Sequence, residues 1–271
     1  MELQLEGRTA LVTGSSKGIG EAIARALARE KATVLVHGRD PAKTEAVSRS
    51  ITAAGGAAHA VFGDLTRDDD VAELLASARR IAGSIDIVVN NAGGSGGDRE
   101  TWNDTQAATW SSTYDRNVLA ALRITAPLLP GMRQAGWGRV INISSLAAVM
   151  APPSGPGYAA AKAGINALTA SMAKAIAGNG ITVNAVSPGT IHSAALDTRF
   201  RETAAERGFA KVDAPWEEIE RAVLPLFAQV PVGRVGRLED IADAVAFLAS
   251  PLAGYITGIN LRIDGGLSPS L

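Results

Sequence analysis

The opening of the chain constrains the fold more than any other stretch. Thr9-Ala10-Leu11-Val12 is a short apolar run of the kind that forms a buried strand, and it passes directly into Thr13-Gly14-Ser15-Ser16-Lys17-Gly18-Ile19-Gly20. Apolar positions then recur at helical spacing in Glu21-Ala22-Ile23-Ala24-Arg25-Ala26-Leu27. Strand, glycine loop and helix in that order bring bare backbone close to a ligand. They also aim the free N–H groups and partial positive charge of a helix N-terminus at phosphate oxygens. The glycine spacing is G-x-x-x-G-x-G and not G-x-G-x-x-G. Alone, such a loop is also what an ordinary tight turn looks like, so its meaning depends on the rest of the chain.

The rest repeats the theme. Apolar or β-branched runs at Thr9 to Val12, Thr33 to Val36, Ala58 to Phe62, Ile85 to Asn90, Arg139 to Ile143, Thr182 to Val186 and Asn260 to Ile263 predict seven strands. Helical periods lie between them, as at Asp69 to Ile81, Trp110 to Leu128 and Tyr158 to Ala177. This alternation predicts an α/β fold, a doubly wound parallel sheet of Rossmann type with helices on both faces. In such a sheet ligands sit beyond the carboxyl ends of the strands. No low-complexity tract, Pro-rich spacer or long charge run interrupts the 271 residues, so residues 1–271 read as one domain. The stretch from Thr190 to Gly233 breaks the alternation and is long for a connection, which predicts a lid over a substrate.

Tyr158-Ala159-Ala160-Ala161-Lys162 places a phenol and an ammonium on one helical face. A tyrosine keeps its proton to a pKa of about 10, so it becomes useful near neutrality only where a cation stabilises the phenolate. Lys162 is placed to be that cation. The strand Arg139 to Ile143 ends in Ser144-Ser145, which offers a hydroxyl beside the phenol, and a ketone oxygen could accept from both. On its own Y-x-x-x-K also describes a solvated pair on a helix surface.

Taken with the glycine loop, these residues make the chain resemble the short-chain dehydrogenase/reductase family over nearly its whole length. The landmarks follow in order: Thr13 to Gly20, Asp64-Leu65, Asn90-Asn91-Ala92-Gly93, Asn117, Ser145, Tyr158 with Lys162, and Pro188-Gly189. The closing run Gly254 to Gly258 with Asp264-Gly265-Gly266 also looks like the family's C-terminus. The resemblance implies hydride transfer between nicotinamide and a carbonyl carbon. Tyr158 would be the acid/base, Lys162 would lower its pKa and bind the nicotinamide ribose, and Ser145 would stabilise the oxyanion. Asn117 would interrupt a helix and hold a water next to the lysine, while Ser144 would play a structural part at the strand end. For the cofactor it implies contacts from Gly14, Ser16, Lys17, Gly18, Ile19, Gly20, Arg39, Asp64, Leu65, Asn91, Ala92, Gly93, Tyr158, Lys162, Pro188, Gly189, Ile191 and Ser193. Asn90 would mainly brace the sheet, and Asp64 has the alternative of capping the next turn.

Members of the family that use NAD end the second strand with an acid, whereas Gly38 stands there in this chain. Arg39 follows, and Lys17 lies in the glycine loop, so NADP(H) is expected through a clamp on its 2′-phosphate. Asp40 keeps NAD(H) as the alternative. A formal charge of -1 with interspersed signs leaves no footprint for nucleic acid or an anionic membrane. With no cysteine and with His37, His59 and His192 scattered, no metal is expected. The acidic opening Met1 to Glu6 lacks a secretory pattern, and no apolar run reaches membrane-spanning length, so a cytoplasmic protein is expected. The family implies a homotetramer and a small-molecule ketone or alcohol substrate. Competing expectations are a 3-oxoacyl-carrier-protein reductase, with Arg139 as a basic contact, and a non-catalytic dinucleotide sensor. Leu196, Phe200, Trp216, Ala147, Met150, Pro152 and Gly94 to Gly97 are candidate walls of the substrate pocket, each with plain packing as the alternative.

Overall fold

A computed structural model describes residues 2–96 and 100–269. Gly97, among the expected walls, and Met1 lie outside the described residues. Strand β1 (Thr9–Val12) leads into helix α1 (Gly18–Arg29), followed by β2 (Thr33–Gly38), α2 (Pro41–Ala53), β3 (Ala57–Phe62), α3 (Asp68–Ala82) and β4 (Ile87–Asn90). The second half continues with α4 (Ala107–Tyr114), α5 (Ala120–Thr125), α6 (Leu129–Ala135), β5 (Gly138–Ile143), the short α7 (Ala147–Met150), α8 (Pro156–Ile176) and β6 (Ile181–Pro188). Helices α9 (Ala194–Glu206), α10 (Trp216–Phe227) and α11 (Leu238–Ala249) precede β7 (Asn260–Ile263). All seven strands are parallel in the order β3-β2-β1-β4-β5-β6-β7. The order reverses between β1 and β4, which is where a doubly wound sheet opens a crevice at its carboxyl edge.

Period-two burial explains the layers. Ala10 and Val12 of β1 face α1, α2 and α11 together with Ile23, Leu27, Val47, Ile51, Ile241 and Val245. Leu11 faces the other way, into a second core with Leu74 of α3, Ile124 of α5, Met132 of α6 and Ile176 of α8. Fully burying each such aliphatic side chain contributes about 1.5–3 kcal/mol. Among the described residues no helix is long and apolar enough to cross a membrane.

The strand bounds shift slightly from those expected. β2 runs on to Gly38 and β6 covers Ile181–Pro188, because both continue pairing with β3 and with β7. β4 begins two residues later than expected, at Ile87, because Asp86 is turned to β1 and its carboxylate accepts the Thr9 N–H at 2.9 Å. The long helix expected over Trp110 to Leu128 is interrupted by a π-helical turn at Asp115–Leu119. Asn117 sits in that turn, and its Nδ2 donates to the Thr113 carbonyl at 2.8 Å, competing with the backbone for the i−4 acceptor. The stretch expected to be irregular from Thr190 to Gly233 contains α9 and α10.

His37, in β2, holds the glycine loop in shape. Its Nδ1 accepts the Gly14 N–H at 3.1 Å and its Nε2–H donates to the Gly63 carbonyl at 3.0 Å, which makes the ring neutral. Burial pulls its pKa down from 6.5 to about 4, partly offset by the bond to Gly63. The unfolded chain therefore takes a proton below about pH 6.5 that the fold refuses until about 4. Stability from this group is complete above pH 6.5 and declines as pH falls through the window, by on the order of 3 kcal/mol. Urea denaturation between pH 7 and 4.5 should show a steeper loss for the native chain than for His37→Asn; parallel profiles would contradict the neutral, buried ring.

Candidate active site

The glycine loop is tied to the end of β4 by long-range hydrogen bonds. The Thr13 hydroxyl donates to the Val89 carbonyl at 3.2 Å and accepts from the N–H groups of Asn91 and Ala92, both at 3.0 Å. Asn91 returns its side-chain amide to the carbonyls of Thr13 and Gly14 at 2.9 and 3.0 Å. At Gly20 a Cβ would stand 2.4 Å from both Asn91 Nδ2 and the Gly14 carbonyl, so only glycine lets α1 start this close to the loop. The helix begins at Gly18 with no side-chain cap, leaving the N–H groups of Gly18, Ile19 and Gly20 directed out of the first turn. Ser15 is consumed structurally, donating to Val12 and accepting from His37, whereas Ser16 and Lys17 reach the surface of the loop.

One end of the crevice lies across β2 and β3. A side chain at Gly38 would place its Cβ 2.3 Å from Thr44 Oγ1 and 3.1 Å from Ser16 Oγ, so the strand end has no room for an acid. Arg39 is exposed, its Nη1 3.8 Å from Asp64 Oδ2. The other oxygen of Asp64 accepts from the N–H and hydroxyl of Thr66 at 2.9 and 2.8 Å, and those bonds, chiefly the first, hold the carboxyl below its usual range. The carboxylate thus caps its own turn while keeping one oxygen toward the site, and Leu65 beside it is buried. Asp40 caps α2, accepting from Lys43 N–H at 3.2 Å, and its other oxygen pairs with Lys43 Nζ at 3.2 Å. Both oxygens of Asp40 therefore have partners on α2, although its pairing with Lys43 is exposed.

At the other end of the crevice, Tyr158 and Lys162 stand on α8 with the Lys162 ammonium 5.7 Å from the phenol ring centroid. Lys162 is 4% exposed and donates to the Ile143 carbonyl at 2.8 Å. Burial lowers its pKa to about 8. Burial raises that of Tyr158, with the hydrogen bond to Ser145 acting in the opposite direction. In this structure desolvation outweighs the Ser145 contribution, and the phenol holds its proton at neutral pH. Ser144 and Ser145 separate by direction: Ser144 is buried and donates to the Lys162 carbonyl at 3.2 Å, while Ser145 is half-buried beside the phenol and accepts the Ala147 N–H at 3.1 Å. Asn117 exchanges two bonds with Gly94, both 3.0 Å, and packs under Gly93, where a Cβ would meet its Oδ1 at 2.4 Å. Asn90 donates to Thr125 and to Asn142, each at 2.8 Å, within the sheet.

The segment from Pro188 closes the third side. The Pro188 carbonyl accepts from Leu146, Gly189 N–H donates to Ile263, and Ile191 bridges in parallel to Gly236. Ser193 caps α9, accepting the Leu196 N–H at 3.3 Å, with its own hydroxyl proton left to donate. Beyond it α9 and α10 have their own core of Phe200, Ala204, Ile219, Val223, Leu224 and Val235. Phe200 is fully buried there, so it is not a pocket wall as expected: it packs on Trp216 and Phe227. Trp216 stacks on His192 at 4.0 Å between ring centroids, and His192 Nε2 bonds Asp197 at 3.1 Å. Met150 is exposed and Ala147 and Pro152 are half-buried, at the edge of the crevice. Two residues that sequence reasoning missed are His37, which read only as one of three scattered histidines, and Glu100, which is 8% exposed and whose Oε2 accepts the Gly157 N–H at 3.0 Å.

The profile of the short chain dehydrogenase family matches residues 8–204. The chain is 34% identical over 265 residues to the 3-oxoacyl-[acyl-carrier-protein] reductase FabG of Pseudomonas aeruginosa, covering 98% of this chain and 99% of that one. The enzyme of the same name from Vibrio cholerae is 36% identical over 265 residues, with the same coverage. Among solved structures, the L-sorbose reductase of Gluconobacter frateurii, complexed with NADPH and L-sorbose, superposes with a TM-score of 0.90 at 30% identity over 100% of both chains. Together with the parallel seven-stranded sheet and the order of the site residues along it, these matches place the chain in the short chain dehydrogenase family.

Proposed function

We propose that this chain is an NADP(H)-dependent oxidoreductase that moves a hydride between nicotinamide and a ketone or secondary alcohol, with Tyr158 as the proton donor and acceptor. The observation that carries this reading is the placement of Tyr158 and Lys162 on one face of α8, with the buried Lys162 ammonium 5.7 Å from the phenol ring centroid and the half-buried Ser145 at the adjoining strand end. When bound, the dinucleotide supplies the hydride. In the reductive direction Tyr158, kept protonated by its burial, gives its proton to the substrate oxygen as charge develops there. Ser145 donates a second hydrogen bond to that oxygen. Lys162 stabilises the phenolate left behind, and Asn117 holds the π turn where a water can return the proton.

Binding falls to groups in three places. The N–H groups of Gly18, Ile19 and Gly20, with Gly14 and Ser16, cradle the pyrophosphate. Arg39 and Lys17 hold the 2′-phosphate, Asp64 and Leu65 the adenine, and Asn91, Ala92 and Gly93 line the ribose. Pro188, Gly189, Ile191 and Ser193 take the nicotinamide with Lys162. The steric closure at Gly38 and the engagement of Asp40 as the cap of α2 support NADP(H) over NAD(H). We assign the enzyme to the cytoplasm as a homotetramer. Exposed Tyr114 and Leu122 beside the π turn and exposed Leu252, Tyr255 and Ile259 near β7 support two pairing faces.

A carrier-protein reductase is the second reading, favoured by the name of the Pseudomonas relative. Arg139 does not support it. The residue is the second of β5, at the amino edge of the sheet and far along the strand from the crevice, and is buried with its guanidinium on the carbonyls of Ser250, Gly138 and Gly180. A free ketone selected by α9, α10 and the loop around Met150 fits the site without any basic rim.

Tyr158→Phe should lower turnover by about 10²–10⁴-fold while NADPH affinity stays nearly unchanged, the scale of one lost general acid. Lys162→Ala should damage both. Steady-state rates with free ketones and with a carrier-bound 3-oxoacyl thioester test this; a Tyr158→Phe enzyme within a few-fold of the native one sinks the assignment, and turnover of the thioester alone moves the substrate to the second reading.

NADPH should bind at least tenfold more tightly than NADH, about 1.4 kcal/mol, and Arg39→Ala should remove most of that difference. Fluorescence titration of both dinucleotides reads it directly, and equal affinities in the native chain would restore Asp40 as a ribose ligand.

A further inference from the structure

Helix α8 carries Tyr158 in its first turn, yet its own sequence leaves that turn uncapped. The preceding residue is Gly155, in the left-handed region at φ 65 and without a side chain, and the first helical residue is Pro156. Helices usually satisfy their first N–H groups with Ser, Thr, Asp or Asn at that point. Here the acceptors come from far along the chain. The Gly155 N–H donates to the Glu100 carbonyl at 2.8 Å, and the Gly157 N–H to Glu100 Oε2 at 3.0 Å.

Both oxygens of the carboxylate are engaged. Its Oε1 accepts from the Thr105 hydroxyl, and Thr105 Oγ1 accepts from Trp110 Nε1–H at 2.7 Å. Trp110, on α4, also closes over the same turn: a Cβ at Gly157 would lie 2.8 Å from Glu100 Oε2 and 3.3 Å from Trp110 Cδ1. A carboxylate this buried is costly unless donors converge on it. A helix N-terminus is where its charge is also favoured by the aligned peptide dipoles. A connection that only had to join β4 to α4 would need no such group.

We propose that Glu100 is a positioning residue for the general acid, a cap supplied in trans along the chain that fixes the first turn of α8 and with it the Tyr158 phenol. The proposal rests on the reading of Tyr158 as proton donor. Among the described residues Glu100 hydrogen-bonds the backbone of Gly155 and Gly157 and the Thr105 hydroxyl, so it acts through the position of Tyr158. Lys162 lies one turn deeper and is anchored separately on the Ile143 carbonyl. Loss of the cap should therefore lower kcat and leave dinucleotide binding alone.

The test is a set of variants in the full-length enzyme: Glu100→Ala, Glu100→Gln, Tyr158→Phe and the Glu100→Ala/Tyr158→Phe pair, each with ketone kinetics and an NADPH titration by fluorescence. Glu100→Ala should lower kcat about tenfold or more, the scale of a lost cap, with the Kd for NADPH within about twofold of the native value. Glu100→Gln, whose amide oxygen can accept the Gly157 N–H, should recover most of the rate. In the Tyr158→Phe background Glu100→Ala should have no further effect, because both act on one step. A Glu100→Ala enzyme with native kcat, a Glu100→Gln enzyme as impaired as the alanine variant, or a parallel loss of NADPH affinity would each overturn the proposal. If instead Tyr158→Phe retains turnover, it is the assignment of the general acid that fails.

Discussion

A buried ammonium with no carboxylate partner among the described residues is the constraint on which the rest of the site depends. Lys162 donates from Nζ to the Ile143 carbonyl, while its own carbonyl accepts from Ser144, so helix and strand end are tied by a reciprocal pair. Burial moves its pKa from 10.5 to about 8. The unfolded chain keeps that proton up to about pH 10.5, so the charged residue opposes folding below pH 8, by on the order of 3 kcal/mol, and the penalty disappears as pH rises toward 10.5. Packing alone would favour an apolar side chain there. Holding a cation behind a phenol gives a physical reason to keep it, since the phenolate formed on proton transfer is the one group nearby that needs a positive charge.

The remaining polar contacts connect this pair to the cofactor side. Asn90 of β4 donates to Asn142 of β5, Asn142 donates to Thr169 of α8, and Thr169 donates to the Ile165 carbonyl at 2.8 Å. That buried ladder runs behind the crevice and sets the helix against the two strands. In front of it, Thr13 and Asn91 join the ends of β1 and β4, and His37 joins the glycine loop to β3. Buried networks of this kind are rigid because every broken bond exposes a costly orphan. Rigidity is what lets a hydride donor and a proton donor face one carbonyl at the same time.

Much of this was legible in the chain because the signals are local. Strand, glycine loop and helix occupy neighbouring residues, and Tyr158 and Lys162 share a face through helical geometry alone. What escaped was decided by distant partners. Glu100 reads as one more polar loop residue until Gly157, 57 positions later, is brought against it. His37 looks like an isolated histidine just past a strand because its partners lie in the turn before α1 and after β3. Phe200 looked like a pocket wall, but α10 folds over it and gives α9 a core of its own. Arg139 looked like a surface cation, but three carbonyls bury it at the wrong edge of the sheet, where desolvation lowers its pKa to about 10. Periodicity shows which face of an element is apolar; it does not show which other element will cover that face.

Hydride transfer at the carboxyl edge of the sheet is the step that every residue of the site serves. The most direct measurement is reduction of a turned-over ketone with NADPH carrying deuterium at nicotinamide C4, followed by mass spectrometry of the alcohol. The site described here predicts one deuterium on the carbinol carbon in every product molecule, with the hydroxyl proton drawn from solvent through Tyr158. An alcohol that forms without deuterium on that carbon, from either face of the nicotinamide, would contradict it.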